Sequence, residues 1–145
     1  MSRATPKIRD FAERLIAYET KSNKSSKTKT AAVFLVGEKL RLHLTALMGN
    51  VGFRALLSRA LALTNAEVPW LREVHVKADG SLGGLDELGA QSDPEKIAEG
   101  SVVLLAQLFG LLVAFIGGSL TLRLVREIWP KIPLHDLDFG NGDRK

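Results

Sequence analysis

Residues 100–122, GSVVLLAQLFGLLVAFIGGSLTL, decide the fold because they contain no charged residue. As an α-helix with a rise of 1.5 Å per residue, this segment would be about 35 Å long, whereas the hydrocarbon core of a bilayer is about 30 Å thick. Asp93, Pro94 and Glu95 mark a helix start, since Asp caps helices, Pro suits the first position and Glu suits the positive first turn. The segment is therefore long enough to cross a membrane.

The glycine pair Gly117–Gly118 allows a second interpretation of the same segment. A glycine pair commonly marks a helix kink or a helix end, and Ser119 could cap a separate second helix. On that helix Leu120, Leu124 and Ile128 would share one face, as in an amphipathic surface helix. Under the positive-inside rule, a membrane span would leave the basic N-terminal part outside the cell without a signal sequence, which disfavours the span.

A membrane-embedded helix and a soluble core or oligomer interface therefore both remain open. In either environment, small residues at four-residue spacing would let another helix approach closely. The helix-packing or membrane face predicted from this spacing consists of Leu108, Gly110, Leu111, Ala114, Phe115 and Gly118.

The segments before this one predict further helices. Pro6, followed by apolar residues at helical spacing, predicts a helix over residues 6–20. Residues 31–66 are largely apolar and are interrupted at Gly49–Asn50, a pattern that indicates a helical hairpin. A short strand over residues 31–36 is the alternative for its beginning.

The dipeptide Asp79–Gly80 is typical of a β-hairpin turn, with an irregular loop as the alternative. The fold class predicted is mainly α: a compact bundle of about five helices with a small β-hairpin near residues 72–85. The chain is predicted to form a single domain, residues 1–145. Its parts are an N-terminal helix (6–20), a Lys/Ser-rich linker (21–30), a helical hairpin (31–66), a hairpin or loop (67–92), apolar C-terminal helices (93–130) and a polar tail (131–145).

The net charge of +4 is distributed unevenly along the chain. Residues 1–30 carry eight basic and three acidic residues, whereas residues 78–100 carry one basic and six acidic residues. This bipolar charge favours head-to-tail association or an anionic partner at one end, and it is weaker than the basic stripe of a dedicated nucleic-acid-binding protein.

The most basic segment is KSNKSSKTKT, residues 21–30, which has no apolar or aromatic residue. This composition is typical of a solvated linker. The alternative is a contact with phosphate or anionic lipid, because closely spaced lysines release counterions on binding. The candidate contacts with an anionic partner are Lys21, Lys24, Lys27, Lys29, Arg54 and Arg59.

Few residues point to catalysis or metal binding. The chain has no cysteine, and its three histidines lack the spacing of a helical metal-binding pair. The sequence also lacks a phosphate-binding loop and a nucleophile motif. We therefore predict no catalytic residue, no metal site and no cofactor, and an enzyme is the least favoured class. The sequence does not indicate whether the protein binds a small molecule.

Three stretches carry a family resemblance: EKLRLHLTALMGNVGFRALLSRALAL (38–63), VPWLREVHVKADGSL (68–82) and LLVAFIGGSLTLRLVREIWP (111–130). They resemble a family of short stand-alone bacterial proteins with no assigned activity. The resemblance implies a bacterial single domain and brings no site residues with it.

Together these observations predict a non-enzymatic helical interaction protein. Its Leu-rich C-terminal helices would serve self-association, partner binding or membrane association. The alternative is a basic module that binds nucleic acid or an anionic membrane surface through its lysine-rich linker. The expected partner is a second copy of the chain or another protein, then a membrane, with nucleic acid less favoured; the expected location is the cytoplasm, with association with the inner membrane as the alternative.

Overall fold

The computed structural model describes residues 6–22, 29–69, 74–77, 82–83 and 94–132. Within them lie four helices: α1 (Pro6–Ser22), α2 (Lys29–Glu67), α3 (Pro94–Ile116) and α4 (Gly118–Ile128). Two short strands, β1 (His75–Val76) and β2 (Leu82–Gly83), lie between α2 and α3. The predicted mainly-α class is confirmed, whereas the predicted number of about five helices is not.

Helix α1 is amphipathic in the way its sequence predicts. Its apolar residues recur at helical spacing, so they line one face, and that face is buried in the core. The helix extends to Ser22, two residues beyond the predicted end. The buried residues of α1 are Ile8, Phe11, Ala12, Leu15, Ile16 and Glu19.

Helix α2 is broken at Gly49, where the prediction places the interruption of the helical hairpin. The backbone there has φ 83° and ψ 162°, a conformation that only glycine adopts readily. Gly49 divides α2 into a first half, residues 29–48, and a second half, residues 50–67. Residues 31–36 are helical, so the alternative of a short strand there is wrong.

Gly117 separates α3 from α4 in the same manner, with φ 91° and ψ 158°. Its carbonyl oxygen accepts hydrogen bonds from the Thr121 backbone N–H at 3.1 Å and from the Thr121 Oγ1 hydroxyl at 2.8 Å. No side chain caps the start of α4, so Ser119 does not play the capping role expected of it. Helix α4 thus begins at Gly118, two residues earlier than a Ser119 cap would require.

The core forms where α1, both halves of α2 and α3 pack together. Phe11 of α1 meets Phe109 of α3 edge to face, with 5.1 Å between the ring centroids. The same apolar cluster takes in Leu44 and Leu57 of α2 and Val125 of α4. All four helices therefore contribute to one continuous core.

The strands form a two-residue antiparallel pairing in which His75 lies opposite Gly83 and Val76 opposite Leu82. Val74 joins a second apolar cluster that anchors β1 to the end of α2 and to α3. The turn dipeptide Asp79–Gly80 lies outside the described residues. The hairpin connection near residues 72–85 therefore stays a prediction.

Candidate functional site

The two ends of the bundle differ, and contacts between helices identify each end. At one end Arg9, near the start of α1, forms an ion pair with Glu67, the last residue of α2. Val103 of α3 shares an apolar cluster with Leu61 and Val68 at this same end. We call it the acidic end, after the exposed Glu67 at the end of α2 and the exposed Glu99 in the first turns of α3.

Both glycine breaks lie at the opposite end. From Leu61 back to Gly49, α2 covers about 18 Å, and from Val103 forward to Gly117, α3 covers about 21 Å. Beyond the shared cluster the two helices also pack in the main core, which holds Phe53 and Leu57 of α2 and Phe109 of α3, so both breaks lie away from the acidic end. We call this the break end.

A buried carboxylate links three segments of the chain near the break end. Glu19, in the last turn of α1, is only 2% exposed. Its Oε2 accepts hydrogen bonds from Lys39 Nζ and from the Trp129 indole N–H, each at 2.5 Å. Lys39 Nζ also lies 6.0 Å from the centroid of the Trp129 ring, within range of a cation–π contact.

These contacts place two further segments at the break end. Residues 39–49 run from the Glu19 contact to the break in α2, and residues 117–129 run from the second break back to Glu19. The break end is thus built from the end of α1, the later part of the first half of α2, and α4.

The large apolar side chains that remain exposed are concentrated at this end. Among the described residues there are five, and each lies in residues 42–51 or 115–120. Four of them flank a glycine break within three residues, and Phe115 and Val51 are 71% and 75% exposed. We call these five residues the break-end patch: Leu42, Leu47, Val51, Phe115 and Leu120.

Cationic side chains adjoin the patch. Arg123 and Arg126 are exposed on α4, and Lys131 is exposed just after it. The only acidic residue between positions 118 and 132 is Glu127, which is also exposed. The surface beside the patch is therefore apolar and basic together.

The structure does not bring the predicted anionic-partner contacts together as one described surface. Arg54 is partly buried, and its Nε has no hydrogen-bond partner, whereas Arg59 is exposed about 15 Å from Gly49 toward the acidic end. Lys21 and Lys29 belong to the last turn of α1 and the first turn of α2. Lys24 and Lys27 lie outside the described residues.

The predicted helix-packing or membrane face is divided between core and surface. Leu108, Gly110 and Gly118 are buried, and Leu111 is partly buried against the core. Ala114 and Phe115, in the last turn of α3, are exposed. Some residues of the predicted face therefore pack in the core, and others are exposed to solvent.

Helix α3 is long and apolar enough to cross a membrane by length and composition. The window Glu99–Ile116 has a mean hydropathy of 2.0, and 56% of it is buried inside the protein. A core helix of a soluble protein passes the same test, so the hydropathy is weak evidence for a span. The packing of α3 against α1 and α2 accounts for most of its buried side chains.

Sequence reasoning missed the cluster of Glu19, Lys39 and Trp129. Lys39 and Trp129 lie 20 and 110 positions after Glu19, and no local motif links residues so distant in sequence. The available signal was Glu19 itself, because a carboxylate on the apolar side of an amphipathic helix needs a buried partner. In the described part of the chain, no group of three His, Asp or Glu side chains could hold a metal ion.

Comparison with known proteins finds no matching family model, no matching curated protein and no matching solved structure.

Proposed function

We propose that this chain is a non-enzymatic helical interaction protein that associates with its partner through the break-end patch. The observation that carries the proposal is the position of the exposed large apolar side chains, all of which lie at one end among the described residues. Single exposed apolar residues are ordinary on a protein surface, but a group of them at one end is typical of an interaction site.

The two breaks give the patch its physical basis. The helical backbone is interrupted at each glycine, and four of the five patch residues lie within three positions of a break and are exposed. No atom outside the immediate chain lies within 4 Å of a Cβ placed on Gly49, so the surroundings of this break are open. Leu47 and Val51 are exposed beside this break, at positions where polar side chains would fit.

This proposal uses only part of the predicted C-terminal face. The inner side chains of α3 hold the protein core, and the outward-facing Phe115 and Leu120 are left for association. Self-association, a protein partner and a membrane are the three classes of partner such a patch fits. The alternative of a nucleic-acid-binding module has less support, because Arg54 is partly buried and Arg59 lies about 15 Å along α2 from Gly49.

The test compares the wild-type protein with a variant in which Leu47, Val51, Phe115 and Leu120 are all replaced by serine. A matched control carries serine at the exposed positions Ala62 and Ala66, nearer the acidic end. Sedimentation velocity over a wide concentration range measures self-association, and flotation with lipid vesicles measures membrane association.

We expect the wild-type protein and the control to associate in at least one assay and the patch variant to lose that association. Circular dichroism verifies that all three proteins are folded. If the patch variant associates as strongly as the wild type, or if the wild type associates in neither assay, the proposal is wrong.

A further inference from the structure

We infer that the surface on which the break-end patch docks is an anionic membrane, bound peripherally and with the break end facing the lipid. This inference rests on the proposed function and names its partner. It is carried by the charges that accompany the patch, which match a negatively charged bilayer and do not match a second copy of the same end.

The apolar part of this surface suits insertion into the interface rather than a complete crossing of the bilayer. The exposed side chains of α3 in its last turn are Ala114 and Phe115, and most of the helix is covered by α1 and α2. Leu47, Val51 and Leu120 extend the apolar surface across the neighbouring break. Side chains of this size reach about 5–10 Å into the boundary between headgroups and acyl chains.

The basic part comes from α4 and the residues directly after it. Arg123, Arg126 and Lys131 are exposed there, and Glu127 is the single acid among residues 118–132. Each cation near an anionic lipid surface strengthens partitioning about fivefold.

The opposite end has no such excess of cations among the described residues. Glu67 and Glu99 are exposed there together with Lys7 and Lys77. The attraction to an anionic bilayer is therefore stronger at the break end. Two copies meeting through their break ends would instead bring like charges together, which disfavours a symmetric dimer at this patch.

The test is flotation of the purified chain with vesicles of phosphatidylglycerol and phosphatidylcholine, compared with vesicles of phosphatidylcholine alone. One variant, R123Q/R126Q, removes two exposed cations at the break end. Its matched control, K7Q/K77Q, removes two exposed cations near the acidic end, so both have the same net charge.

We expect binding to the anionic vesicles only, a loss of binding as salt is raised, and at least about tenfold weaker binding for R123Q/R126Q than for the control. Equal binding to neutral vesicles, or equal weakening in both variants, overturns the inference. So does tighter binding to a nucleic-acid duplex than to the vesicles.

A second measurement does not depend on the loss of a function. Because the chain has no cysteine, a single thiol can carry an environment-sensitive fluorophore. With anionic vesicles, the label at Val51→Cys should move to a less polar environment, and the label at Lys7→Cys should not. An unchanged Val51 label overturns the inference whatever the double variants do.

One further result would overturn this inference and leave the proposed function standing: the wild-type protein self-associates but does not bind vesicles, and the serine patch variant does not self-associate. The absence of both self-association and vesicle binding would overturn both.

Discussion

Glu19 shows how a single buried charge can organise one end of this protein. Burying a carboxylate is costly unless it is paired and hydrogen bonded, and both requirements are met by side chains from other segments. Lys39 supplies the opposite charge from α2, and Trp129 supplies an indole N–H from beyond α4. The carboxylate therefore favours the arrangement in which α1, α2 and the end of α4 meet.

Replacement of Lys39 by methionine should destabilise the fold more than replacement of Glu19 by glutamine. The Lys39→Met variant leaves the carboxylate buried with only the indole donor. We expect a loss of about 2–3 kcal/mol, below the about 3–5 kcal/mol of a fully buried pair, because the Lys39 side chain is 40% exposed. The Glu19→Gln variant keeps an acceptor for Trp129. Urea unfolding followed by circular dichroism measures both losses.

The double variant Glu19→Gln/Lys39→Met provides the control for this prediction. Without the carboxylate, the missing ammonium no longer leaves a buried charge unpaired, so the double variant should lose less stability than the two single losses added together. Strict additivity would show that the two side chains are not coupled.

Gly37 and Gly49 should respond to alanine with opposite signs. Both lie in α2, and neither has an atom outside its immediate chain within 4 Å of an added Cβ. Gly49 has φ 83° and ψ 162°, so Gly49→Ala should cost about 1–3 kcal/mol in backbone strain. Gly37 lies in a regular helical stretch, so Gly37→Ala should stabilise by about 0.5–1 kcal/mol. Thermal and urea unfolding check both signs, and equal shifts would contradict the role given to the break.

At the scale of the element, α3 is one helix with two different surfaces. From Gly100 to Ile116 its sequence carries no charge, so the residues that face the core and those that face outward look alike when only hydropathy is considered. Packing against α1 and α2 separates them: Leu112 is completely buried, whereas Phe115, three residues later, is 71% exposed.

Alanine at these two positions should distinguish the surfaces of α3 in detergent-free buffer. Leu112→Ala removes core contacts and leaves a cavity, so it should cost about 2–5 kcal/mol. Phe115→Ala removes a side chain that is mostly in solvent and should change stability by about 0.5 kcal/mol or less. Chemical unfolding of the two variants measures the difference. Similar losses for both would contradict the division of α3 into a core face and an outer face.

Sequence patterns predicted the helices and their interruptions better than the partners of those helices. The break at Gly49 was predictable because glycine ends helices, and the buried face of α1 was predictable from its spacing. The contact between Glu19 and Trp129 was not, because it depends on how three helices pack. The hydropathy of the apolar part of α3 is likewise the same for a helix in lipid and for a helix in a protein core. Its environment could therefore not be predicted from composition.

At the scale of the whole molecule, the two ends differ in their exposed side chains. The exposed large apolar side chains and the arginines of α4 lie at the break end, whereas exposed lysines and glutamates occur together at the other end. The net charge of +4 does not reveal this difference. The exposed cations of α4 therefore favour an orientation with the break end toward an anionic surface.

Cell fractionation should therefore recover the chain with membranes at low salt and release it with high salt or an alkaline wash. A patch of a few apolar side chains with neighbouring cations gives reversible attachment, whereas a spanning helix is held until detergent is added. The R123Q/R126Q variant should shift toward the soluble fraction, and K7Q/K77Q should fractionate as the wild type does. Detergent solubilisation of the pellet distinguishes membrane protein from aggregate. Retention of the wild-type chain in washed membranes, followed by its release in detergent, would show that α3 crosses the bilayer and that peripheral docking is wrong.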